Sequence, residues 1–248
     1  MSLPPRSKRE HLRRLVEDKN QWSRPLTDQE KALGFLGWHE RGYLPHRDFP
    51  DLVQFVTFRL ADSMPASRRR EWEHLLKIES VRERRAQLEE YLDRGVGECL
   101  LREARVAQIV EDSLLCFHNG RYELLAWCVM PNHVHALVDV KRTPLGKIVQ
   151  NWKVHTENEL RRTELAERRA PPRCESEPAS NVPRRCSALR LKWQREYWDT
   201  SMRDEERRRK AIHYIENNPA RAKLCRVAKE WPFSSARYRD NYARLVIP

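Results

Sequence analysis

The sequence predicts an α+β fold in which an antiparallel sheet carries helices on one face. Segments with the two-residue alternation of β-strands occur at 52–60, 122–130 and 133–140, and a short strand-like stretch lies at 200–202. Segments with a helical period lie between them. The resulting order of strand, helix, strand, strand, helix, strand is that of a split βαβ sheet.

The N-terminal third combines a basic arm with the first strand and two helices. Residues 1–45 are polar, strongly basic and contain prolines, so they are expected to form an arm outside the folded domain. The core strands should begin after residue 50, and removal of residues 1–37 should leave the fold intact. After the strand LVQFVTFRL at 52–60, the pattern predicts a charged helix over 66–92 and a second helix, with an apolar stripe, over about 98–117.

The second half of the chain begins with a predicted hairpin. Residues 122–130 and 133–140 form its two strands, and the chain reverses at Pro131 and Asn132. Another helix opens at 143–145. Residues 161–190 are rich in proline, serine and charge, which predicts a flexible insertion. The last helix follows Asp204 and is expected to stop at Pro219, because a proline disfavours a helical residue before it. The chain is therefore expected to contain one domain at 46–240 and a tail at 241–248.

The composition excludes several classes of protein. The 248 residues suffice for one sizeable core, and 40% of them are hydrophobic. No run of 18 apolar residues occurs, so no membrane-spanning helix is expected, and the N-terminus lacks the apolar core of a secretory signal. The six cysteines contain no CxxC pair, which indicates reduced packing residues in a cytoplasmic protein.

The charge favours a polyanionic partner. Lysine and arginine number 48 against 36 acidic residues, a formal net charge of +12. Neutralising phosphates releases counterions, so such an excess favours nucleic acid. The eight tryptophans add surfaces on which bases could stack.

Two histidines two residues apart form the most informative local pattern. His133 and His135 lie in the apolar run LLAWCVMPNHVHALVDV, directly after Asn132. Successive side chains of a strand alternate between faces, so both imidazoles point the same way, which suits a divalent metal ion. A histidine on an apolar strand is more commonly a core residue, and the spacing alone leaves both interpretations open.

Five stretches together resemble the REP-associated tyrosine transposases, a group of the single-tyrosine HUH transposases. In order over residues 38–238 they are WHERGYLPHRD with VTFRLADSMP, RYELLAWCVMPNHVHALV, LKWQREYWDTSMRDEE, YIENNPARAKL and WPFSSARY. The resemblance implies a ferredoxin-like catalytic domain in which His133 and His135 bind Mg²⁺ or Mn²⁺ and Tyr214 is the nucleophile. It further implies action on single-stranded DNA, at hairpin-forming repetitive palindromes. The insertion at 161–190 and the basic arm depart from the family pattern.

The chemistry that the resemblance implies is strand transfer. Tyr214 would attack phosphorus, form a 5′-phosphotyrosine and free a 3′-hydroxyl that can later rejoin the strands. Asn218 lies four residues after Tyr214 and so on the same helical face, which makes it a candidate third metal ligand. The alternative is that Asn218 belongs to the stop of the helix. Glu216 and His213 are weaker candidates.

Candidate DNA-binding residues lie on either side of the last strand. Trp193 and Gln194 precede it, with Tyr197 and Trp198 close by, although an aromatic cluster is more often part of a core. Three arginines, Arg203, Arg207 and Arg208, would contact phosphates from the tyrosine helix and its approach, with simple solvation as the alternative.

Other functions compete with this hypothesis. A silent or host-domesticated protein that binds or represses repeated palindromes would keep the fold without the chemistry. A metal phosphodiesterase that acts through water would need acidic ligands near the histidines. The one close acid, Asp139, lies four residues beyond His135 on the strand, about 13 Å away and too far to share a metal ion. A monomer is favoured over a dimer.

Overall fold

The computed structural model describes residues 24–41, 44–78, 81–169 and 191–247. Its strands are β1 (Gly37–Arg41), β2 (Leu44–Asp48), β3 (Leu52–Arg59), β4 (Tyr122–Val129), β5 (His133–Val140) and β6 (Trp198–Ser201). Its α-helices are α1 (Asp28–Leu33), α2 (Arg69–Leu76), α3 (Val81–Asp93), α4 (Ala104–Leu115), α5 (Leu145–Arg169) and α6 (Glu205–Arg221).

The main sheet has four strands in the order β4-β5-β3-β6, and every neighbouring pair is antiparallel. The first strand of the βαββαβ order, β3, therefore lies inside the sheet, and the last, β6, forms an edge. This arrangement is ferredoxin-like, so the predicted α+β class with an antiparallel sheet is confirmed.

The two faces of the sheet bury different helices. One face packs against α4 and α5 through the larger core, which contains Val110, Val134 and Trp152. The opposite face packs against α6, where Ile215 meets Leu137. The sequence predicted helices on one face, and this holds for α4 and α5. The face of β5 that carries His133 and His135 also carries the buried Leu137, so it too needs a cover, and α6 supplies it.

The segment before β3 is folded where the structure describes it, which corrects the expected arm at 1–45. Residues 1–23 lie outside the described residues, but α1 has a capping box between Thr27 and Glu30, and Phe35 is buried in the larger core. The Asp48 carboxylate accepts hydrogen bonds from the backbone N–H groups of Leu36 and Leu145, and so ties the β1–β2 hairpin to the start of α5. A deletion of residues 1–37 would remove Phe35 from the core.

Four further boundaries differ from the prediction. The charged helix expected over 66–92 is two helices, α2 and α3, and the helix expected from about residue 98 begins at Ala104 after a short 3₁₀ turn. The helix α5 extends to Arg169, so the first part of the expected insertion at 161–190 is helical, while 170–190 lie outside the described residues. The expected tail is not free, because Leu245 and Ile247 pack against the larger core.

The tyrosine helix continues beyond the predicted stop. Pro219 lies inside α6, which ends at Arg221. Proline lacks a backbone N–H donor and its ring clashes with the turn before it, but the burial of Ile215, Asn218 and Pro219 outweighs this penalty. Asn218 is consequently helical and fully buried.

Two composition-based expectations can be compared with the described residues. No described helix is long and apolar enough to cross a membrane. Cys99, Cys116, Cys128 and Cys225 are free thiols, of which Cys99 and Cys128 are buried and Cys116 is exposed. The other two cysteines of the chain lie outside the described residues.

Candidate active site

The histidine pair forms the centre of the candidate site. His133 and His135 lie at alternate positions of β5 and project from the face that α6 covers, and both side chains are fully buried. Their Nε2 atoms are 3.0 Å apart. Two imidazole nitrogens therefore converge on one point, as the strand spacing predicted.

Hydrogen bonds fix the orientation of both rings. Nδ1 of His133 is 2.7 Å from Oδ1 of Asn132, whose amide nitrogen donates to the carbonyl of Val96. Nδ1 of His135 is 2.9 Å from the Thr57 hydroxyl on the neighbouring strand. Occupying Nδ1 in this way directs Nε2 of each ring inward, which is how histidine ligands of metals are commonly held.

An acidic residue that the sequence analysis missed completes the cluster. Asp93, the last residue of α3, places Oδ1 3.7 Å from Nε2 of His133. The potential ligand atoms of Asp93, His133 and His135 all lie within 4.8 Å of one another. Nothing in the sequence around Asp93 signalled this role, because it ends a charged helix forty residues before the histidines. Asp139, further along β5, pairs with Lys141 instead.

Asn218 reaches the same point from α6. Its Nδ2 is 3.0 Å from Nε2 of His135, and its Oδ1 is buried without a hydrogen-bond partner among the described residues. A half-turn of the amide exchanges these two atoms and turns the oxygen toward the histidines. Asn218 thus lies where the sequence placed a third ligand, and it shares that position with Asp93.

Tyr214 lies one helical turn before Asn218 on α6. Its hydroxyl is 3.5 Å from Nδ2 of Asn218, and its ring lies edge-on to His135, with the centroids 5.7 Å apart. Burial, with the nearby carboxylates of Glu89 and Asp93, raises the pKa of Tyr214 well above its ordinary value. The hydroxyl is therefore held in its protonated form beside the histidine pair.

The electrostatics and donor atoms fit a divalent cation. Burial, helped by the Arg59 guanidinium, lowers the pKa of His133 to about 3, so this imidazole is neutral and its nitrogen can act as a ligand. Burial raises the pKa of Asp93 to about 7, and its Oδ1 has no hydrogen-bond partner among the described residues. A bound cation would be a partner for Oδ1 of Asp93 and Oδ1 of Asn218, which have no hydrogen-bond partner among the described residues. Oxygen ligands suit Mg²⁺ and Mn²⁺, while imidazole ligands suit the softer transition metals.

The weaker candidates of the sequence analysis lie elsewhere. His213 is exposed on α6. Glu216 accepts hydrogen bonds from Arg239 and Ser235, and Arg239 also donates to the carbonyl of Leu125. Glu216 therefore anchors α6 to the segment that follows it and to the edge of the sheet, rather than facing the histidines.

The predicted DNA-binding residues separate into two groups. Trp193 is buried in the larger core, where its ring packs on Phe58, so it is not free to stack on a base. This corrects its expected role, since an apolar ring next to a sheet is more stable in the core than in water. Gln194 is half-buried, and its backbone N–H donates to the carbonyl of Arg59.

The arginines of this prediction are more accessible. Arg203 and Arg208 line a surface groove that also includes Arg24. Arg207 and Arg208 pair with Asp204 and Glu205 at the start of α6. Exposed ion pairs of this kind contribute little to stability, so these side chains could exchange their partners for phosphates.

Comparison with known proteins supports the resemblance seen in the motifs. A family model described as "Transposase IS200 like" matches residues 103–172. A protein of Haemophilus influenzae that bears the name REP-associated tyrosine transposase is 26% identical over 124 residues, which is 50% of this chain and 64% of the relative. The resemblance to the REP-associated tyrosine transposases is confirmed.

The transposase match covers only part of the site. The matched residues 103–172 include His133 and His135 but end before Tyr214 and Asn218 and begin after Asp93. A solved structure titled as a REP-associated tyrosine transposase bound to a REP hairpin aligns with 84% of this chain and 99% of its own, with a TM-score of 0.46 and 14% identity. The placement of Tyr214, Asn218 and Asp93 around the histidines is given by the contacts described above.

Proposed function

We propose that the protein is a metal-dependent endonuclease and strand transferase for single-stranded DNA, with Tyr214 as its nucleophile. The observation that carries the proposal is the meeting of Tyr214 with the histidine pair. Asn218 bridges them, since its amide nitrogen lies 3.0 Å from His135 and 3.5 Å from the tyrosine hydroxyl. A half-buried tyrosine next to a potential metal site combines a nucleophile with an ion that would polarise the phosphodiester.

The metal site would use His133 and His135 together with Asp93, Asn218 or both. Bound Mg²⁺ or Mn²⁺ would polarise the phosphodiester and orient it for attack. The protein would keep the ligands in place through Asn132 and Thr57, whose hydrogen bonds fix the two imidazole rings.

The transfer step conserves the energy of the phosphodiester bond. The Tyr214 oxygen attacks phosphorus, a bond forms between them, and the bond from phosphorus to the 3′-oxygen breaks. The product is a 5′-phosphotyrosine, while the leaving 3′-oxygen takes a proton from solvent. In the reverse direction a 3′-hydroxyl attacks the phosphotyrosine and rejoins the strand, so no nucleotide cofactor is consumed.

Glu89 is the candidate acceptor for the tyrosine proton. It lies one turn before Asp93 on α3, and its carboxylate is within hydrogen-bonding reach of the Tyr214 hydroxyl. We expect Glu89→Gln to slow adduct formation by roughly 10²- to 10⁴-fold, the usual contribution of a general base. Single-turnover kinetics on a gel would measure this rate, with DNA affinity unchanged.

The exposed neighbour Glu90 provides a matched control for Glu89. Its side chain is 73% exposed and pairs with Arg94. Glu90→Gln should react at the wild-type rate. Equal rates in the two variants would mean that the tyrosine proton leaves by another route.

DNA is the partner that charge and resemblance favour. The net charge of +12 suits a polyanion, and the groove that contains Arg24, Arg203 and Arg208 offers phosphate contacts. The resemblance adds hairpin-forming repetitive palindromes as the targets and a monomer that uses its own tyrosine, and the cysteines favour a cytoplasmic location.

One observation supports a second candidate mechanism. Asp93 supplies the acidic ligand whose absence argued against hydrolysis by a metal-activated water. Such an enzyme would cut DNA without any covalent link to Tyr214, and the tyrosine variant considered in the Discussion separates the two mechanisms. A silent DNA-binding protein would cut nothing.

The test of the proposed function is cleavage of an oligonucleotide. With Mn²⁺ or Mg²⁺, purified protein should cut a single strand that carries a repetitive palindromic hairpin from the source genome, and leave the fully paired duplex intact. The products should include a protein–DNA adduct that survives denaturation. Equal cutting of the duplex, or no cutting of any such hairpin, would contradict the proposal.

A further inference from the structure

Two half-buried tryptophans and one arginine form a cluster beside the candidate active site. The rings of Trp72 on α2 and Trp198 on β6 are nearly parallel, with an angle of 23° between their planes and 6.2 Å between their centroids. The Arg59 guanidinium lies 5.2 Å from the centroid of Trp72 and 5.8 Å from that of Trp198. The cluster thus consists of two aromatic rings and one cation that contacts both of them.

The register of the sheet locates this cluster relative to the histidines. Arg59 is opposite His133, and Thr57 lies between His135 and Trp198 as the register partner of both. Neighbouring strands are about 4.8 Å apart, so the backbones at Trp198 and His135 are separated by about 10 Å. All five side chains project from the same face of the sheet. The distance from the histidines to Trp198 is therefore short enough for a nucleotide next to a phosphate at the histidines to reach this ring.

Core packing does not account for the whole of these side chains. Trp72 and Trp198 are packed against a small core formed by Leu75, Leu88, Tyr91 and Leu92, but both tryptophans keep part of their surface in contact with solvent. Fully buried rings of this chain, such as Trp127 and Trp152, lie in the larger core instead. The two half-buried rings therefore keep aromatic surface that is open to a ligand.

The first turn of α2 adds the contacts that a nucleic acid would require. Arg68 and Arg69 precede Trp72 by four and three residues and so lie on its side of the helix, and both are exposed. Their present partners are Glu71 and Glu73, through surface ion pairs that cost little to exchange. Cations beside exposed aromatic rings are the usual surface for single-stranded nucleic acid.

We propose that Trp72 and Trp198 form a base-stacking site for the nucleotide next to the scissile phosphate, with Arg59 beneath the rings and Arg68 and Arg69 on the adjoining phosphate. The inference rests on the proposed function, because it assumes DNA at the histidines. It assigns α2 and the edge strand β6 a role in binding the substrate strand. Stacking tolerates any base, so this site supplies affinity and position rather than sequence recognition.

The test compares two probes that differ only in their bases. One is a fluorescein-labelled oligothymidylate, and the other is an abasic deoxyribose-phosphate chain of equal length; both are titrated by anisotropy in EDTA. The wild-type protein should prefer the oligothymidylate. Trp72→Ala and Trp198→Ala should each weaken its binding by roughly 5- to 150-fold, the range measured for one stacked base, with little change for the abasic chain.

Two further variants control this comparison. Trp38 is 51% exposed on the β1–β2 hairpin, so Trp38→Ala should leave both affinities unchanged. Trp198→Phe keeps an aromatic face and should restore most of the preference for bases. If a variant loses the same factor of affinity for both probes, the substitution has damaged the structure. That pattern in both alanine variants would overturn the proposal.

Other outcomes separate this inference from the proposed function. A wild-type protein without preference for bases, or alanine variants that keep it, would overturn the stacking site even where the protein–DNA adduct forms normally. Loss of the preference in the alanine variants supports the stacking site even where the wild-type protein forms no adduct. The two proposals therefore fail independently.

Discussion

Replacement of Tyr214 by phenylalanine is expected to abolish the covalent protein–DNA adduct while DNA binding stays near that of the wild type. Phenylalanine keeps the ring that packs on Phe55 and His135 and removes only the hydroxyl. Loss of the attacking atom should reduce adduct formation by roughly 10⁴-fold or more, because no other group replaces a nucleophile. A slowed band in a denaturing gel measures the adduct, and anisotropy measures binding.

An exposed tyrosine serves as the control for this variant. Tyr242 is 80% exposed near the end of the chain, so Tyr242→Phe should form the adduct normally. If Tyr214→Phe still forms it, the nucleophile is another tyrosine, with Tyr197 and Tyr238 as the next candidates. If Tyr214→Phe cuts DNA without an adduct, hydrolysis by a metal-activated water is the better account.

Loss of a histidine ligand should have an effect of similar size. His135 contacts Thr57, His133 and Asn218, so His135→Ala removes the side chain on which the site converges. We expect cleavage to fall to background, and the binding of Mn²⁺, measured by calorimetry without DNA, to be lost. EDTA should abolish cleavage by the wild-type protein, and added Mn²⁺ or Mg²⁺ should restore it.

His213 is the matched control, because it is exposed on the same helix as Tyr214. His213→Ala should bind Mn²⁺ and cut DNA like the wild type. The same calorimetry on Asp93→Asn and Asn218→Ala identifies the third ligand, since loss of the true ligand weakens Mn²⁺ binding more. Cleavage that persists in EDTA, or unchanged Mn²⁺ binding by His135→Ala, would exclude a metal at this site.

The sequence by itself determined the features that depend on neighbouring residues. The alternation of β5 put His133 and His135 on one face, and the helical period put Asn218 one turn after Tyr214. The order of the elements predicted the antiparallel sheet and the packing of α4 and α5 on one of its faces. Such patterns are local, because each strand or helix shows in its own residues which side it buries.

The tertiary structure decided which distant residues share a site and which aromatic residues are buried. Asp93 and Glu89 reach the site because the fold places the last turn of α3 beside His133 and Tyr214, a proximity that no local pattern encodes. Trp193 and Trp198 are five residues apart, yet one lies in the core and the other is partly exposed beside Arg59. The helix stop expected at Pro219 is wrong, because the burial of Asn218 and Ile215 outweighs the backbone penalty of the proline and α6 continues to Arg221. Local preference amounts to a few kcal/mol at most, and packing of the whole helix exceeds it.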